Sequence, residues 1–187
     1  MANRNTQGFG LIAAGALGQT PATSGQGKYK IDAGYGTTIY NGGAVASAAG
    51  YIVEGQGTDT PILGVLNGIF YNAATTLKPT FANAYIATIT PANSEDIDAF
   101  VFDNPQQQYV VATDDSVAQS GYLETYDMNT SAGSTTTGKS SATLDIGDTS
   151  ADAASFRLLR SAEDPENDEN AAFRSVVVVP NLIELQS

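Results

Sequence analysis

The chain has no cysteine, no histidine and no tryptophan among its 187 residues. Without thiols there are no disulfides, thiolate metal sites or cysteine nucleophiles, and without imidazoles the commonest general base and metal ligand is gone. Most hydrolase and metalloenzyme chemistry goes with them, so the expectation is a protein that is not an enzyme and holds no cofactor. Basic residues are scarce as well. Lysine and arginine total 8 against 20 aspartates and glutamates, for a net charge of -12 and a pI near 4.1. Such a surface repels phosphate backbones and anionic lipid, so neither nucleic acid nor membrane is an expected partner. No apolar run approaches the roughly 20 residues that a bilayer span requires. Helical periodicity is almost absent too.

What remains is a chain of one-domain length. From Lys28 onward it consists of short β-branched and aromatic runs broken by turn residues, the spacing of an all-β sandwich or barrel, with a jelly roll among the open forms. The candidate strands are KYKIDAG, TTIYN, GYIVEG, PILGVLNGIFYN, FANAYIATIT, AFVFDNP, QQYVVATDD, SGYLETYDM, SATLDIGD, SFRLLRSA and FRSVVVVPNLIEL. In SATLDIGD, alternation turns Ala142, Leu144 and Ile146 toward a core and Ser141, Thr143 and Asp145 toward water. SVVVV is apolar on both faces and reads as an inner, doubly covered strand that Pro180 ends. Between Phe102 and Tyr109, Asn104 and Pro105 supply turn chemistry at hairpin distance. EDPENDEN, residues 163–170, reads as a solvated acidic connection before the last strand.

Residues 1–27 differ in kind. They are rich in Gly, Ala, Thr, Ser and Gln, and only Phe9, Leu11, Ile12 and Leu17 are large and apolar. Ordering them costs about 1–2 kcal/mol per residue in backbone entropy, whereas four buried side chains return only about 2 kcal/mol each. The segment therefore needs a surface to be laced onto. The stretch also imitates a secretory leader, with Arg4 ahead of GFGLIAAGALG, but its glycines make a poor helix and it reads instead as an extended N-terminal arm. The expected organisation is an arm over 1–27 and a single β domain over 28–187.

Four patterns invite chemistry. GSTTTGKS, residues 133–140, fits the phosphate-loop pattern G-x-x-x-x-G-K-[ST] letter for letter. That motif needs a strand leading in and a helix starting at its lysine, and SATLDIGDTS after it has a period of 2, so the expectation is a loop between strands. The acids at 164, 166, 168 and 169 suggest calcium, yet Glu169 stands where an EF-hand needs its glycine and Ser175 where it needs its bidentate glutamate. Asp114 with Asp115, and Asp96 with Asp98, are pairs a glycosidase would use, although adjacency is expected by chance among so many acids. The nine tyrosines suit either a sugar-binding surface or strand packing, and most fall in candidate strands.

The opening MANRN, PILGV at 61–65, STTTG at 134–138 and the closing DPENDENAAFRSVVVVPNLIEL together resemble the capsid decoration, or cement, proteins of tailed bacteriophages. The resemblance is scattered over the whole length and strongest in the final third. It departs at Phe173, where the family often has tryptophan, and at the end LIELQS, where the family is often basic. It implies a structural virion protein on the capsid exterior, present in host cytoplasm during assembly, whose partners are the major capsid protein and its own copies as homodimer or homotrimer. The arm would then lie along a neighbour as an added strand, with Phe9, Leu11 and Ile12 as anchors and Arg4 meeting an acidic group. The alternative class is a carbohydrate- or receptor-binding β domain of a phage fibre or bacterial surface.

Overall fold

The computed structural model describes residues 3, 5–18, 25–55, 61–129, 133–147, 154–163, 165–168 and 170–186. Among them there is no α-helix. The strands are β1 (Ile12–Ala16), β2 (Gly27–Ile31), β3 (Ala44–Ala48), β4 (Tyr51–Glu54), β5 (Gly64–Asn72), β6 (Pro79–Ala82), β7 (Ile97–Phe102), β8 (Gln107–Ala112), β9 (Thr125–Tyr126), β10 (Met128–Asn129), β11 (Thr143–Leu144), β12 (Phe156–Ser161) and β13 (Ser175–Pro180). One sheet runs β1-β8-β13-β12-β9, and a second runs β2-β7-β5-β3-β4 with β6 on the far end of β5. A short β10–β11 ladder makes a third, and every strand pair is antiparallel. Among the described residues no sheet closes into a barrel. The architecture is of the sandwich kind, although β2 and β4, the two edges of the second sheet, also come into contact without sharing a ladder.

Period-two alternation divides the apolar residues between two cores. Neighbours in the second sheet point opposite ways: Ala44, Val65 and Phe102 meet the first sheet, while Val45, Leu66 and Val101 face a core of their own. The first core receives Tyr109, Val111, Phe156, Leu158, Val176 and Val178 from the first sheet. The second gathers Ile31, Ile52, Ile69, Ile97 and Ala99, with Ile39 and Tyr85 joined by an isolated bridge. SVVVV is the central strand β13, buried on both faces from Ser175 to Val179. In SATLDIGD the inward assignment of Ala142 and Leu144 matches, but Thr143 is buried as well, because it sits in the β10–β11 ladder under Gly8.

The segment expected to form a hairpin at Phe102–Tyr109 is instead a crossing between sheets. The reversal is made as its residues dictate: the Asn104 side chain accepts the Gln106 amide at 2.9 Å and the Asn104 carbonyl accepts the Gln107 amide at 3.0 Å. The flanking strands do not pair with each other, since both edges of β7 are taken by β2 and β5, and both edges of β8 by β1 and β13. The corner is fixed from inside by Tyr109, whose hydroxyl donates to the Phe102 carbonyl at 3.1 Å. From the other side, Tyr29 donates to the Asp103 carboxylate at 2.7 Å. Burial first, then that carboxylate, raises the Tyr29 phenol to about 12.

The described residues of the leading segment are laced onto the chain's own domain. Asn3 is buried, its side-chain amide donating to the Ala172 carbonyl at 2.9 Å and its oxygen accepting the Asp168 amide. Gly8 runs so close to residue 141 that an added Cβ would lie 2.0 Å from the Ser141 carbonyl oxygen. The Gly10 amide donates to Ala142 at 3.2 Å and the Leu11 amide to Gly42 at 2.8 Å. β1 then pairs along β8 as the edge of the first sheet.

Candidate interaction surface

The second sheet has a face that the first sheet covers only in part. Register puts Phe70 opposite both Phe81 and Asp98, and Phe100 opposite both Gly68 and Lys28. These residues share the face of Val65 and Phe102 but lie beyond the first core. The result is an outward cluster of three phenylalanines, with Phe81 61% exposed, Phe70 37% exposed and Phe100 half-buried. The Phe81 and Phe100 rings are 6.0 Å apart and tilted by 32°. Phe81 lies down over Gly68, where a Cβ would meet its ring at 2.9 Å, so the glycine lets an exposed ring rest flat on the sheet. Beside the rings, Asp98 takes Lys28 at 2.7 Å on one oxygen and Lys30 at 2.6 Å on the other. Burial pushes that carboxyl up, but the two lysine hydrogen bonds outweigh it and hold it below the ordinary aspartate value.

The other places singled out by the sequence are occupied by internal bonds. GSTTTGKS closes on itself, with the Ser134 amide donating to Lys139 at 2.9 Å and the Gly138 amide to Ser134 at 2.7 Å. The Ser140 amide donates to Asn41 at 2.9 Å, and no helix follows. A phosphate loop presents its amides outward to the ligand and opens a helix at its lysine, whereas here the amides of Ser134, Gly138 and Ser140 are used within the chain and no helix starts at Lys139. Asp114 accepts the Ile146 amide at 2.9 Å and Asp115 the Ser116 amide at 2.6 Å. Asp96 accepts Tyr51 at 3.2 Å while Asp98 holds the lysines. In the acidic connection, Asp164 and Glu169 lie outside the described residues. Asn167 pins the rest, its side chain donating to the Ser175 carbonyl at 2.8 Å and accepting the Ser175 amide at 2.9 Å. Among the described residues no group of three or more acids is placed to hold a metal ion.

The anchors expected of the leading segment part company. Leu11 is 3% exposed within the first core, Phe9 is half-buried, Ile12 is 53% exposed on β1, and Arg4 lies outside the described residues. None of the nine tyrosines is exposed. Six of their hydroxyls are engaged, for example Tyr126 donating to Gly121 at 2.9 Å and Tyr35 accepting the Glu54 amide at 2.9 Å. From the sequence, the tyrosines suited either a sugar-binding surface or strand packing. Nothing in it signals that phenylalanines, not tyrosines, are the exposed ones, because the spacing of Phe70 and Phe81 reveals nothing of register. A hollow lined by Ala33, Tyr35, Ala87, Thr90 and Ser94 has one titratable group, the Tyr35 phenol. Comparison with known proteins finds no matching family model, no matching curated protein and no matching solved structure.

Proposed function

We propose that the chain is a structural virion protein, a decoration or cement protein that binds the outer surface of a bacteriophage capsid and braces contacts between capsomers. Its partners are the major capsid protein and further copies of itself. The observation that carries this reading is the outward phenylalanine cluster of Phe70, Phe81 and Phe100 on a sheet face with no layer of its own chain over it among the described residues. Scattered apolar surface residues are ordinary, but three convergent rings backed by a glycine make a docking patch. Covering Phe70 and Phe81 removes about 200 Å² of ring surface from water, gross roughly 5 kcal/mol at 25 cal/mol per Å². Part of that is lost to the cost of association, so one copy binds modestly. Copies joined in a closed oligomer gain by effective concentration on a repeating lattice. The net charge of -12 keeps decorated particles apart.

The reading is tested by co-sedimentation with heads of the phage that encodes the chain, assembled without it. Wild type is expected to pellet with heads and raise their bursting temperature. The Phe70→Ser, Phe81→Ser double variant, still folded, is expected to lose at least about tenfold in binding. Wild type that stays in the supernatant, or is retained on a glycan array instead, sinks the reading.

A further inference from the structure

We propose a second contact site on the opposite sheet: a pair of arginines, Arg157 and Arg160, that binds two carboxylates carried two residues apart on an extended segment of a different protein. The site does not depend on whether the chain sits on a capsid. Strand β12 reads FRLLRS, and strict alternation would send residues three apart to opposite faces. A bulge between Leu158 and Arg160 absorbs the extra residue, so Arg157 stands opposite Val179 and Arg160 opposite Val177. Those valines are two residues apart on the side of β13 away from the first core, which holds Val176 and Val178. Both arginines therefore point outward, about 7 Å apart along the strand. Bulges re-aim side chains in this way, at the expense of a ladder bond.

Neither guanidinium has an ion pair among the described residues. Arg157 is steered by neutral acceptors, the Leu123 carbonyl at 2.6 Å and the Asn181 side chain at 3.4 Å. Arg160 is exposed and has no partner among the described residues. This is notable in a chain with 20 acids for 8 bases, whose Lys28 and Lys30 do share a carboxylate. Val177 and Val179, opposite the two arginines, are only 4% and 7% exposed, so the site offers a partner charge and fork-shaped hydrogen bonding more than apolar area. Carboxylates at alternate positions of a strand repeat at the same spacing of about 7 Å. A second copy of this chain fits poorly. Face to face, four guanidiniums would meet, and the chain's own acidic run is folded back by Asn167 and Asn3.

The test uses nuclear magnetic resonance titration of the full chain with a capped peptide, Thr-Val-Glu-Val-Glu-Val-Thr. The expected result is that amide signals of residues 157–160 and 176–179 shift, and that apparent affinity falls severalfold from 50 to 500 mM salt. It should fall at least fivefold when the glutamates are made adjacent, and vanish when they become lysines. Arg157→Gln with Arg160→Gln abolishes the shifts, and Arg160→Gln alone, which leaves the Leu123 contact in place, weakens them. No binding at millimolar peptide, equal affinity for both glutamate spacings, or shifts centred on another face would overturn the proposal. So would self-association that the double variant abolishes, since the face would then belong to a second copy.

Discussion

Replacing Leu11 with alanine asks whether the leading segment belongs to the domain in solution. Leu11 is 3% exposed and packs in the first core, and its amide bond to Gly42 at 2.8 Å survives the change, so the substitution isolates the side chain. Buried leucine-to-alanine changes cost about 2–5 kcal/mol, transfer and cavity terms together. A site beside an edge strand can relax somewhat, which places this one near 3 kcal/mol. With a urea slope of about 2 kcal/mol/M, the unfolding midpoint should fall by roughly 1.5 M. The melting temperature should fall by about 6–12 °C for a chain of this size. The neighbouring Ile12 supplies the control, because it is 53% exposed, and Ile12→Ala should move stability by no more than about 0.5 kcal/mol. Urea unfolding followed by tyrosine fluorescence measures both. If Leu11→Ala unfolds within about 0.5 kcal/mol of wild type, the segment is not docked on the domain and its order must come from a partner.

Two further outcomes follow from single contacts. Tyr109→Phe removes the hydroxyl that bridges the sheets to the Phe102 carbonyl at 3.1 Å, and should cost about 1–2 kcal/mol in denaturant unfolding; an unchanged midpoint would mean that the corner is not fixed there. Asp98 has a folded-state pKa below its unfolded value near 3.9, so its contribution is present above about pH 4 and is lost as pH falls through the folded value. Asp98→Asn should therefore be less stable than wild type at pH 7 and equal to it near pH 2, and a gap that stays constant across that range refutes the ion-pair account.

Strands rich in β-branched and aromatic residues were legible because their side chains state the period directly. β7, with Ile97, Ala99 and Val101 inward, and the central β13 are the clearest. β1, IAAGA, and β3, AVASA, were not, because small side chains carry almost no strand preference and both are strands by virtue of their neighbours. β3 fills a slot between β4 and β5, and β1 completes an edge of β8. Conversely TTIYN and FANAYIATIT look like strands and supply only the Ile39–Tyr85 and Asn41–Lys139 bridges and the end of β6, since their backbone is bent to close the second core. The crossing at Asn104 shows the same limit. Local residues specify that a chain reverses, while the partner of each strand depends on which edges are free.

The candidate surfaces were hidden for a related reason, which is parity. Counting by twos from Val65 in β5 would put Ile69 outward and Phe70 in the second core. The bulge between Leu66 and Gly68 reverses that, burying Ile69 and exposing Phe70. In β12 the bulge between Leu158 and Arg160 likewise places Arg160 on the same side as Arg157. One inserted residue in each of these two strands thus decides which side chains face outward, and neither is visible as a break in hydrophobicity. Asn67 with Gly68 is a turn-like pair inside a strand, and Leu158 with Leu159 doubles an apolar position, which are the marks that such a reversal leaves in a sequence. Folding alone would not put apolar and cationic groups outside, and a register shift puts them there without altering the core that faces the other way.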